Sequence, residues 1–351
     1  MVDVGVEVLR WYAICKRDLP WRETKDPYAV WLSEIILQQT RVDQGLSYYL
    51  RFLEKYPTVA ALAKANEDDI LKLWQGLGYY SRARNLHATA RMVTDTYGGA
   101  FPSGYDELIR LKGIGEYTAA AIASISFNQP HAVVDGNVYR FLSRLYGIST
   151  PIDTPRGKKE FSLLANTLID RKNPGEYNQA VMEFGALCCT PKKPGCSSCI
   201  FSNRCVALQT AMTDQYPVKA GKQKIRLRFF NYLLISDHDH IFIRKRIEND
   251  IWKNLYEFPL IETDVKPDPL ILEKEMIRSL GQQTITVSHI SRWQKQILSH
   301  QYIYYRFIYI QLTGKKNELS HLLKVNKKDI LNFAVPKPIE RELERMGGIL
   351  E

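Results

Sequence analysis

A 13-residue pattern that occurs twice constrains the fold of this chain more than any other feature of its sequence. The copies are Leu71–Ala83 and Leu108–Ala120, and the second begins 37 residues after the first. Each copy has apolar residues at helical spacing, a Gly-apolar-Gly turn and then helical spacing again. Two helical hairpins built from a duplicated unit predict a compact α-helical domain, which we place at residues 1–213.

Beyond residue 225 the pattern changes to short runs rich in β-branched and aromatic residues. Runs typical of strands are 226–235, 241–243 and 301–312, and segments with helical spacing are 268–280 and 337–346. The sequence therefore predicts a multidomain chain in which an all-α domain precedes an α+β domain at residues 226–351. Pro217, Gly221 and several lysines mark residues 214–225 as the linker between them.

The charge of the chain suits a polyanionic partner, although simple solubility would explain it equally well. Lys and Arg number 48 against 38 Asp and Glu, which gives a formal net charge of +10. Clustered cations supply affinity for a phosphate backbone. No apolar run approaches the roughly 18 residues of a membrane span, and the N-terminus lacks the apolar core of a signal peptide. We therefore expect a cytoplasmic protein with no membrane partner.

Four cysteines lie within 17 residues, at Cys189, Cys196, Cys199 and Cys205. In a reducing compartment, clustered cysteines bind metal more often than they form disulfides. Four thiolates from one short loop suit tetrahedral zinc or a [4Fe–4S] cluster, and soft sulfur ligands do not choose between the two. The loop 189–205 therefore predicts a metal centre. The remaining cysteines, Cys15 and Cys188, are expected to be packed thiols.

The second hairpin contains the turn Gly113-Ile114-Gly115, whose glycines permit a tight backbone. The helix after it would begin with exposed N–H groups that can hold a phosphate, although an ordinary corner between two helices gives the same pattern. Asp135 follows an apolar run 20 residues after Gly115, where a turn or helix cap is the common role. This stretch resembles the helix-hairpin-helix element of DNA repair glycosylases. In that superfamily an aspartate at the position of Asp135 is catalytic, because a fixed carboxylate stabilises the positive charge that builds on the sugar.

Glu34 lies in the apolar segment Trp31–Thr40, where burial would raise its pKa and keep a proton on the carboxyl. A departing adenine needs such a proton, although a single Glu on a helix is more often a surface residue. The segment closely resembles the adenine DNA glycosylase (MutY) family, in which this Glu is the general acid. The resemblance extends through the first domain. It implies that Glu34 protonates adenine and that Asp135 stabilises the sugar cation, before water adds directly or after transient capture by Asp135.

The same resemblance assigns roles to further residues. Family positions are matched by Arg22 and Gln179 in the adenine pocket, by Gln39 and Tyr79 where the flipped base leaves a gap, and by Asn137 and Tyr117 beside the reacting sugar. Bifunctional relatives such as endonuclease III have a nucleophilic lysine where this chain has Tyr117. We therefore expect a monofunctional glycosylase.

The cysteine spacing matches the loop of the endonuclease III and MutY superfamily. The resemblance therefore implies that Cys189, Cys196, Cys199 and Cys205 hold a [4Fe–4S] cluster with a structural role. Glu273 and Glu275, in the second domain, do not form the Glu-rich metal-binding box of hydrolytic Nudix enzymes. We expect no nucleotide hydrolysis there.

Two segments of the second domain, Ile251–Pro259 and Leu298–His300, resemble the C-terminal Nudix-like domain of MutY proteins. The resemblance places Ser299 and His300 in the loop that recognises 8-oxoguanine opposite adenine, although a polar turn between strands would have the same composition. Leu298 replaces the aromatic residue that the family usually has before this serine. The departure bears on how strongly the loop discriminates the oxidised base.

We expect a monomeric enzyme that removes adenine from 8-oxoG:A or G:A mispairs in double-stranded DNA during base excision repair. Three other classes share some of these features: a bifunctional glycosylase for thymine glycol or other pyrimidines, a catalytically silent binder of damaged DNA, and a redox-signalling iron–sulfur protein. Tyr117 and the second domain argue against the first, and the presence of both carboxylates with the pocket positions argues against the second. The third would need a second cofactor motif, which the sequence lacks.

Overall fold

The computed structural model describes residues 4–221, 225–280, 285–312 and 319–347. The chain divides into two compact units, the first made of Met1–Lys64 and Asn85–Gly221 and the second made of Ala65–Arg84 and Lys222–Glu351. The grouping of residues 65–84 with the C-terminal part of the chain was not predicted from the sequence.

The domain boundaries drawn from the sequence stay predictions: a helical domain at 1–213, a linker at 214–225 and a second domain at 226–351. Within that linker, residues 222–224 lie outside the described residues, as do 281–284, 313–318 and 348–351 of the second domain. The predicted fold class is confirmed, since helices dominate up to residue 221 and a sheet with helices follows.

The bounds of the α-helices are α1 (Val4–Cys15), α2 (Pro27–Leu37), α3 (Val42–Lys55), α4 (Val59–Lys64), α5 (Glu67–Leu73), α6 (Ser81–Tyr97), α7 (Tyr105–Leu108), α8 (Glu116–Phe127), α9 (Gly136–Tyr146), α10 (Pro155–Leu168), α11 (Pro174–Leu187), α12 (Val206–Gln209), α13 (Pro269–Leu280) and α14 (Lys337–Arg345). Short 3-10 helices are Pro20–Arg22, Cys196–Ser198, Thr213–Gln215 and Lys327–Asn332. Helices lie on both sides of each Gly-apolar-Gly turn, α5 and α6 at the first copy and α7 and α8 at the second. Among the described residues, no helix has the length and apolar character needed to cross a membrane.

The core of the first unit is built from the apolar faces of its helices. Along α9, Val138, Phe141 and Leu145 recur at helical spacing and are buried. The Phe141 ring lies 5.0 Å from that of Phe184 in α11 and 5.3 Å from that of Phe201 in the cysteine loop. The cysteine loop is therefore docked on the same core as the helices that carry the candidate site.

Two glycines allow α11 to pack closely against its neighbours. A Cβ atom on Gly175 would lie 2.8 Å from backbone atoms of Ser124 and Ile125 in α8, and one on Gly185 would lie 2.7 Å from the Cβ of Asn137 in α9. Cβ atoms do not approach other atoms so closely, so any larger residue would push α11 away. The spacing of these three helices sets the geometry of the site described below.

The second unit contains a mixed β-sheet. Its strands are β1 (Arg226–Ser236), β2 (His240–Lys245), β3 (Tyr256–Glu257), β4 (Leu260–Thr263), β5 (Ile285–Ile290), β6 (Gln294–Ile297), β7 (Gln301–Leu312) and β8 (Leu323–Asn326). The order is β3-β2-β1-β7-β5, while β4 pairs with β1, β6 with β7 and β8 with β2. β1 and β7 run parallel, and the other pairs are antiparallel.

Both faces of this sheet are covered, because successive side chains of a strand point to opposite faces. On one face Tyr232 packs in a cluster with Leu343 of α14. On the other, Leu233 packs in a cluster with Leu272 and Met276 of α13. The long buried runs of β1 and β7 therefore form the middle of a layered α/β/α unit.

Candidate active site

Glu34 lies on α2, a helix whose residues from Tyr28 to Ile36 are all buried. Asp26 caps this helix by accepting hydrogen bonds from the backbone nitrogens of Tyr28 and Ala29, both at 3.2 Å. The Glu34 side chain is 8% exposed. Burial, reinforced by the nearby charge of Asp135, raises the pKa of Glu34 to about 7. The carboxyl is therefore substantially protonated near neutral pH, as the sequence predicted for a buried Glu.

Tyr117 lies in the first turn of α8 and binds Glu34 directly. Its hydroxyl donates a hydrogen bond to Glu34 Oε2 at 2.6 Å and lies 3.3 Å from the sulfur of Met182. Burial raises the pKa of Tyr117 well above its ordinary value, so the phenol stays a neutral donor. This bond favours the carboxylate form of Glu34 and partly opposes the effect of burial on its pKa.

Asp135 caps α9, which is one of the roles that its sequence context predicts. This role is compatible with the other predicted one, stabilisation of a positively charged sugar. Oδ1 accepts hydrogen bonds from the backbone nitrogens of Asn137 and Val138 at 2.9 and 2.8 Å, and Oδ2 accepts one from Asn137 Nδ2 at 2.7 Å. Burial raises the pKa of Asp135, whereas these donors and the Arg140 charge lower it. The carboxylate is fixed in orientation by three donors and lies within electrostatic reach of Glu34.

Arg140 supports this site, and sequence analysis missed it. The side chain is buried on α9, and its NH2 group donates hydrogen bonds to Asn137 Oδ1 at 2.9 Å and to the Gly185 carbonyl at 2.5 Å, while Nε donates to the Cys189 carbonyl at 2.6 Å. Because Asn137 Oδ1 is held by Arg140, its Nδ2 is left to face Asp135. An arginine three residues after Asn137 on a mostly apolar helix face was the available signal.

Arg22 and Gln179, the two residues predicted for the adenine pocket, line one polar cavity of about 230 Å³ in the first unit. Gln179 Oε1 accepts a hydrogen bond from the Tyr12 hydroxyl at 2.8 Å. Arg22 donates to both carboxylate oxygens of Glu183, at 2.9 and 2.7 Å. The positive charge of Arg22 also acts on Glu34 and lowers its pKa.

Glu183 is a second residue that the sequence did not reveal. Its side chain is 1% exposed and forms ion pairs with Arg22 and Arg17. Burial alone would raise its pKa, but hydrogen bonds from both arginines outweigh burial and hold the pKa at about 2. Glu183 therefore stays ionised and fixes the guanidinium of Arg22 at the cavity.

The four cysteines of the predicted metal loop line a single pocket, together with Cys188 and apolar side chains of α9 and α11. Cys189 Sγ accepts a hydrogen bond from Arg144 NH1 and Cys199 Sγ accepts one from the Phe201 backbone nitrogen, both at 3.4 Å. Sulfur atoms that accept N–H bonds in an apolar shell fit the donor set of a metal–thiolate centre.

Within the described part of the chain, no three His, Cys, Asp or Glu side chains are arranged to hold one metal ion. All six cysteines are free thiols, and the prediction that Cys15 is packed is wrong, because Cys15 is exposed at the end of α1. Cys188 is partly buried in the pocket.

The predicted phosphate turn and one of the predicted gap-filling residues also lie in the first unit. Gly113 has a φ of 78°, and a Cβ there would lie 2.7 Å from the Cβ of Asn85, so glycine is required. Gly115 precedes α8 in an extended conformation. Gln39 is exposed and has a φ of 58°, a left-handed conformation that is uncommon for residues other than glycine and is concentrated at functional sites.

In the second unit, Tyr79, Ser299 and His300 line a cleft of about 1010 Å³. The Tyr79 hydroxyl is hydrogen-bonded to Ser299 Oγ. Ser299 and His300 form the turn between β6 and β7, as the sequence allowed. Tyr79 is 49% exposed and has a φ of 47°. A residue predicted to fill the gap left by the flipped base, Tyr79, therefore contacts one predicted to recognise 8-oxoguanine, Ser299.

Comparison with protein families gives two matches. The model of the HhH-GPD superfamily of base excision DNA repair proteins matches residues 32–165, and the model of the NUDIX domain matches residues 231–345. The adenine DNA glycosylase of Buchnera aphidicola subsp. Acyrthosiphon pisum (strain APS) is 33% identical over 338 residues, which cover 96% of this chain and 95% of that protein.

Two solved structures resemble part of the chain. A thermostable thymine-DNA glycosylase is 31% identical with a TM-score of 0.55, and the match covers 59% of this chain and 95% of that one. A trapped endonuclease III–DNA covalent intermediate is 23% identical with a TM-score of 0.52, again covering 59% of this chain and 95% of the other. The second likeness concerns the fold alone.

Proposed function

The chain belongs to the adenine DNA glycosylase family, and on that premise we propose that it acts as a monomer to hydrolyse the N-glycosidic bond of adenine mispaired with 8-oxoguanine or guanine in double-stranded DNA. The observation that carries the proposal is the buried Glu34–Tyr117 pair within electrostatic reach of Asp135. Such a site holds a proton next to a fixed negative charge. Release of a neutral base from a sugar requires both.

Glu34 is the general acid of the proposed reaction. Its pKa of about 7, which burial raises, leaves a large protonated fraction at neutral pH. Brønsted behaviour makes a carboxyl with a pKa near the working pH more effective than an ordinary Glu. The proton passes to a ring nitrogen of adenine, and the base departs as a neutral molecule.

Asp135 faces the sugar as its positive charge develops. Its carboxylate is already held by the two backbone nitrogens and the Asn137 amide, so it does not have to reorganise during the reaction. Water then adds to the sugar, either directly or after transient covalent capture by Asp135. Arg22 and Gln179 orient the flipped adenine at the 230 Å³ cavity that they line.

The reaction is monofunctional, because the residue that supplies a nucleophilic amine in bifunctional relatives is here Tyr117. The phenol is a weak nucleophile while it is neutral, and its hydroxyl is bound to Glu34. Borohydride should therefore trap no efficient covalent complex between the protein and DNA. Efficient trapping would contradict a monofunctional mechanism.

Cys189, Cys196, Cys199 and Cys205 would hold a [4Fe–4S] cluster. When bound, the cluster supplies a rigid centre around which the loop folds. We expect no redox role for it, because base hydrolysis involves no electron transfer. The sulfur-directed N–H groups of Arg144 and Phe201 support this assignment. Iron and labile sulfide at about four per chain, with an absorption band in the visible, are expected. Stoichiometric zinc without iron would contradict the assignment.

Ser299 and His300 recognise the base opposite adenine, and Tyr79, which contacts Ser299, fills the gap left by the flipped base. The contact between Tyr79 and Ser299 at the edge of an open cleft supports this part of the proposal. The Gly113–Gly115 turn holds a DNA phosphate without reading sequence, and Gln39 enters the gap left by the flipped base. Removal of the chain after residue 217 should abolish the preference for 8-oxoG:A over G:A.

A single-turnover glycosylase assay tests the proposal. Duplexes containing 8-oxoG:A, G:A, T:A or C:A are incubated with the holoenzyme, and alkali added afterwards cleaves abasic sites. We expect adenine release from the first two only, and no release by Glu34→Gln, with DNA binding retained. The exposed neighbour Glu23, changed to Gln, serves as the matched control. Release of thymine instead of adenine, or full activity in Glu34→Gln, would reject the proposed function.

A further inference from the structure

The segment Ala65–Arg84 belongs to the second unit and is fixed there through Asp68. Asp68 Oδ1 forms an ion pair with Lys245 Nζ at 2.5 Å, and Oδ2 accepts a hydrogen bond from the Tyr256 hydroxyl at 2.9 Å. Lys245 and Tyr256 are directly opposite each other where β2 pairs with β3. One carboxylate therefore binds both members of a cross-strand pair and holds α5 against this edge of the sheet.

Other polar contacts of the segment support the same placement. They join Glu67 to Asn254, Lys72 Nζ to the Phe333 carbonyl at 3.2 Å, Gln75 Nε2 to Glu340 Oε1 at 2.9 Å, and Arg84 NH1 to the Lys253 carbonyl at 2.7 Å. Asp68 combines an ion pair with a hydrogen bond from a second side chain. Removal of Asp68 should therefore loosen α5.

A short rigid path leads from α5 to Tyr79. Trp74, the residue after α5, is fully buried, and its Nε1 donates a hydrogen bond to the Gly78 carbonyl at 3.0 Å. The Arg82 guanidinium lies 5.0 Å from the centre of the Trp74 ring and 5.8 Å from that of Tyr79. The left-handed backbone of Tyr79 is unfavourable by itself and persists because these contacts hold the turn.

We propose that Asp68 is a positioning residue for recognition of the base opposite adenine: by holding α5 on β2 and β3, it keeps Tyr79 in contact with Ser299 at the cleft. This inference rests on the proposed recognition of 8-oxoguanine. It adds that the first copy of the duplicated hairpin serves recognition, whereas the second copy carries Tyr117 of the catalytic site. Asp68 touches neither DNA nor the reacting atoms in this role.

The test compares Asp68→Ala with Asp69→Ala, its exposed neighbour on α5, in the full-length holoenzyme. Single-turnover adenine release is measured on 8-oxoG:A and on G:A duplexes. Asp68→Ala should lower the preference for 8-oxoG:A about threefold, the effect expected for loss of the Tyr79–Ser299 hydrogen bond, and should leave the G:A rate unchanged. Asp69→Ala should change neither rate.

A double-mutant cycle with Tyr256→Phe separates positioning from general stability. If Asp68 acts through Tyr256, the double variant loses no more preference than Asp68→Ala alone, whereas independent roles would multiply. Hydrogen exchange of residues 70–80 should be faster in Asp68→Ala than in Asp69→Ala. An equal loss on both duplexes, or an unchanged preference with unchanged exchange, overturns the inference. If the wild-type enzyme has no preference for 8-oxoG:A, both the role of Asp68 and the proposed recognition of 8-oxoguanine are overturned. If the wild-type preference exists and is unchanged in Asp68→Ala, only the role of Asp68 is overturned.

Discussion

The proposed catalytic site of the first unit and the proposed recognition cleft of the second unit place their polar groups in opposite environments. Glu34 is 8% exposed, whereas Tyr79 is 49% exposed beside a cleft of about 1010 Å³. A carboxyl can keep a proton at neutral pH only where its charged form is penalised, so the acid must be buried. A surface that recognises a base of the DNA has to stay accessible to solvent. The positions of its side chains are then set by a strained backbone that neighbouring contacts hold in place. In the proposed function, burial sets the protonation of the acid, and contacts that hold exposed residues in place set the selectivity for the opposite base.

The largest expected effect comes from Asp135→Asn, which separates chemistry from structure in the first unit. Asn can still cap α9 through its Oδ1, but its Nδ2 would face the Nδ2 of Asn137, so the free energy of unfolding should fall by about 1–3 kcal/mol. The negative charge is lost, and adenine release should fall about a thousandfold. Single-turnover rates and thermal unfolding measure the two effects. Asp26→Asn, the same change at the cap of α2, is the control and should keep its rate. Retention of more than about a tenth of the activity by Asp135→Asn would show that its carboxylate is not essential.

The second prediction concerns the effect of the raised pKa of Glu34 on the free energy of unfolding. A Glu in the unfolded chain titrates near 4.5, whereas burial raises the pKa of Glu34 to about 7 in the folded chain. Between these pH values the folded state binds more protons, so the free energy of unfolding falls as the pH rises. Above about pH 7 the full cost of about 3 kcal/mol is present. Glu34→Gln should therefore be more stable than wild type by about this amount at pH 8 and equally stable at pH 4.

Denaturant titrations at the two pH values check this prediction, with the exposed Glu23→Gln as control. Gln preserves the shape of the side chain and can still accept the Tyr117 hydrogen bond. A difference between wild type and Glu34→Gln that does not depend on pH would contradict burial as the origin of the raised pKa.

Tyr117→Phe should alter the pH profile more than the stability. The Tyr117 hydroxyl stabilises the carboxylate of Glu34, so its removal raises the pKa of Glu34 further. The alkaline limb of the rate profile should move up by about one pH unit, and the maximal rate should fall about tenfold because Glu34 loses its orienting partner. In the control Tyr12→Phe, the lost hydroxyl binds Gln179, and the limb should stay in place. A downward shift in Tyr117→Phe would contradict the assigned direction.

The same contrast explains which features could be predicted from the sequence. The burial of Glu34 could be predicted because it lies in a continuous apolar run, and the cap at Asp135 because it follows a Pro-containing break and precedes a helix. Both depend on neighbours in the chain. The cysteine loop could be predicted for the same reason.

The supporting contacts were out of reach because they join residues far apart in the chain. Arg22 and Glu183 are 161 residues apart, and Asp68 and Lys245 are 177 residues apart. No local pattern distinguishes an arginine that will meet a buried carboxylate from one that will stay in solvent. For the same reason the sequence did not show that residues 65–84 belong with the second unit, whose sheet supplies their partners.

The smallest expected effect concerns the exposed cleft of the second unit. Ser299→Ala removes a single hydroxyl that contacts Tyr79, and the preference for 8-oxoG:A should fall about threefold, the value of one exposed neutral hydrogen bond. Tyr79→Phe removes the same bond from the other side, so the double variant should lose no more preference than either single variant. Ser288→Ala, an exposed serine of β5, should have no effect. If instead the losses of the two single variants multiply in the double variant, each hydroxyl contacts the DNA separately. The selectivity of the cleft then comes from independent contacts with the base and not from the Tyr79–Ser299 hydrogen bond.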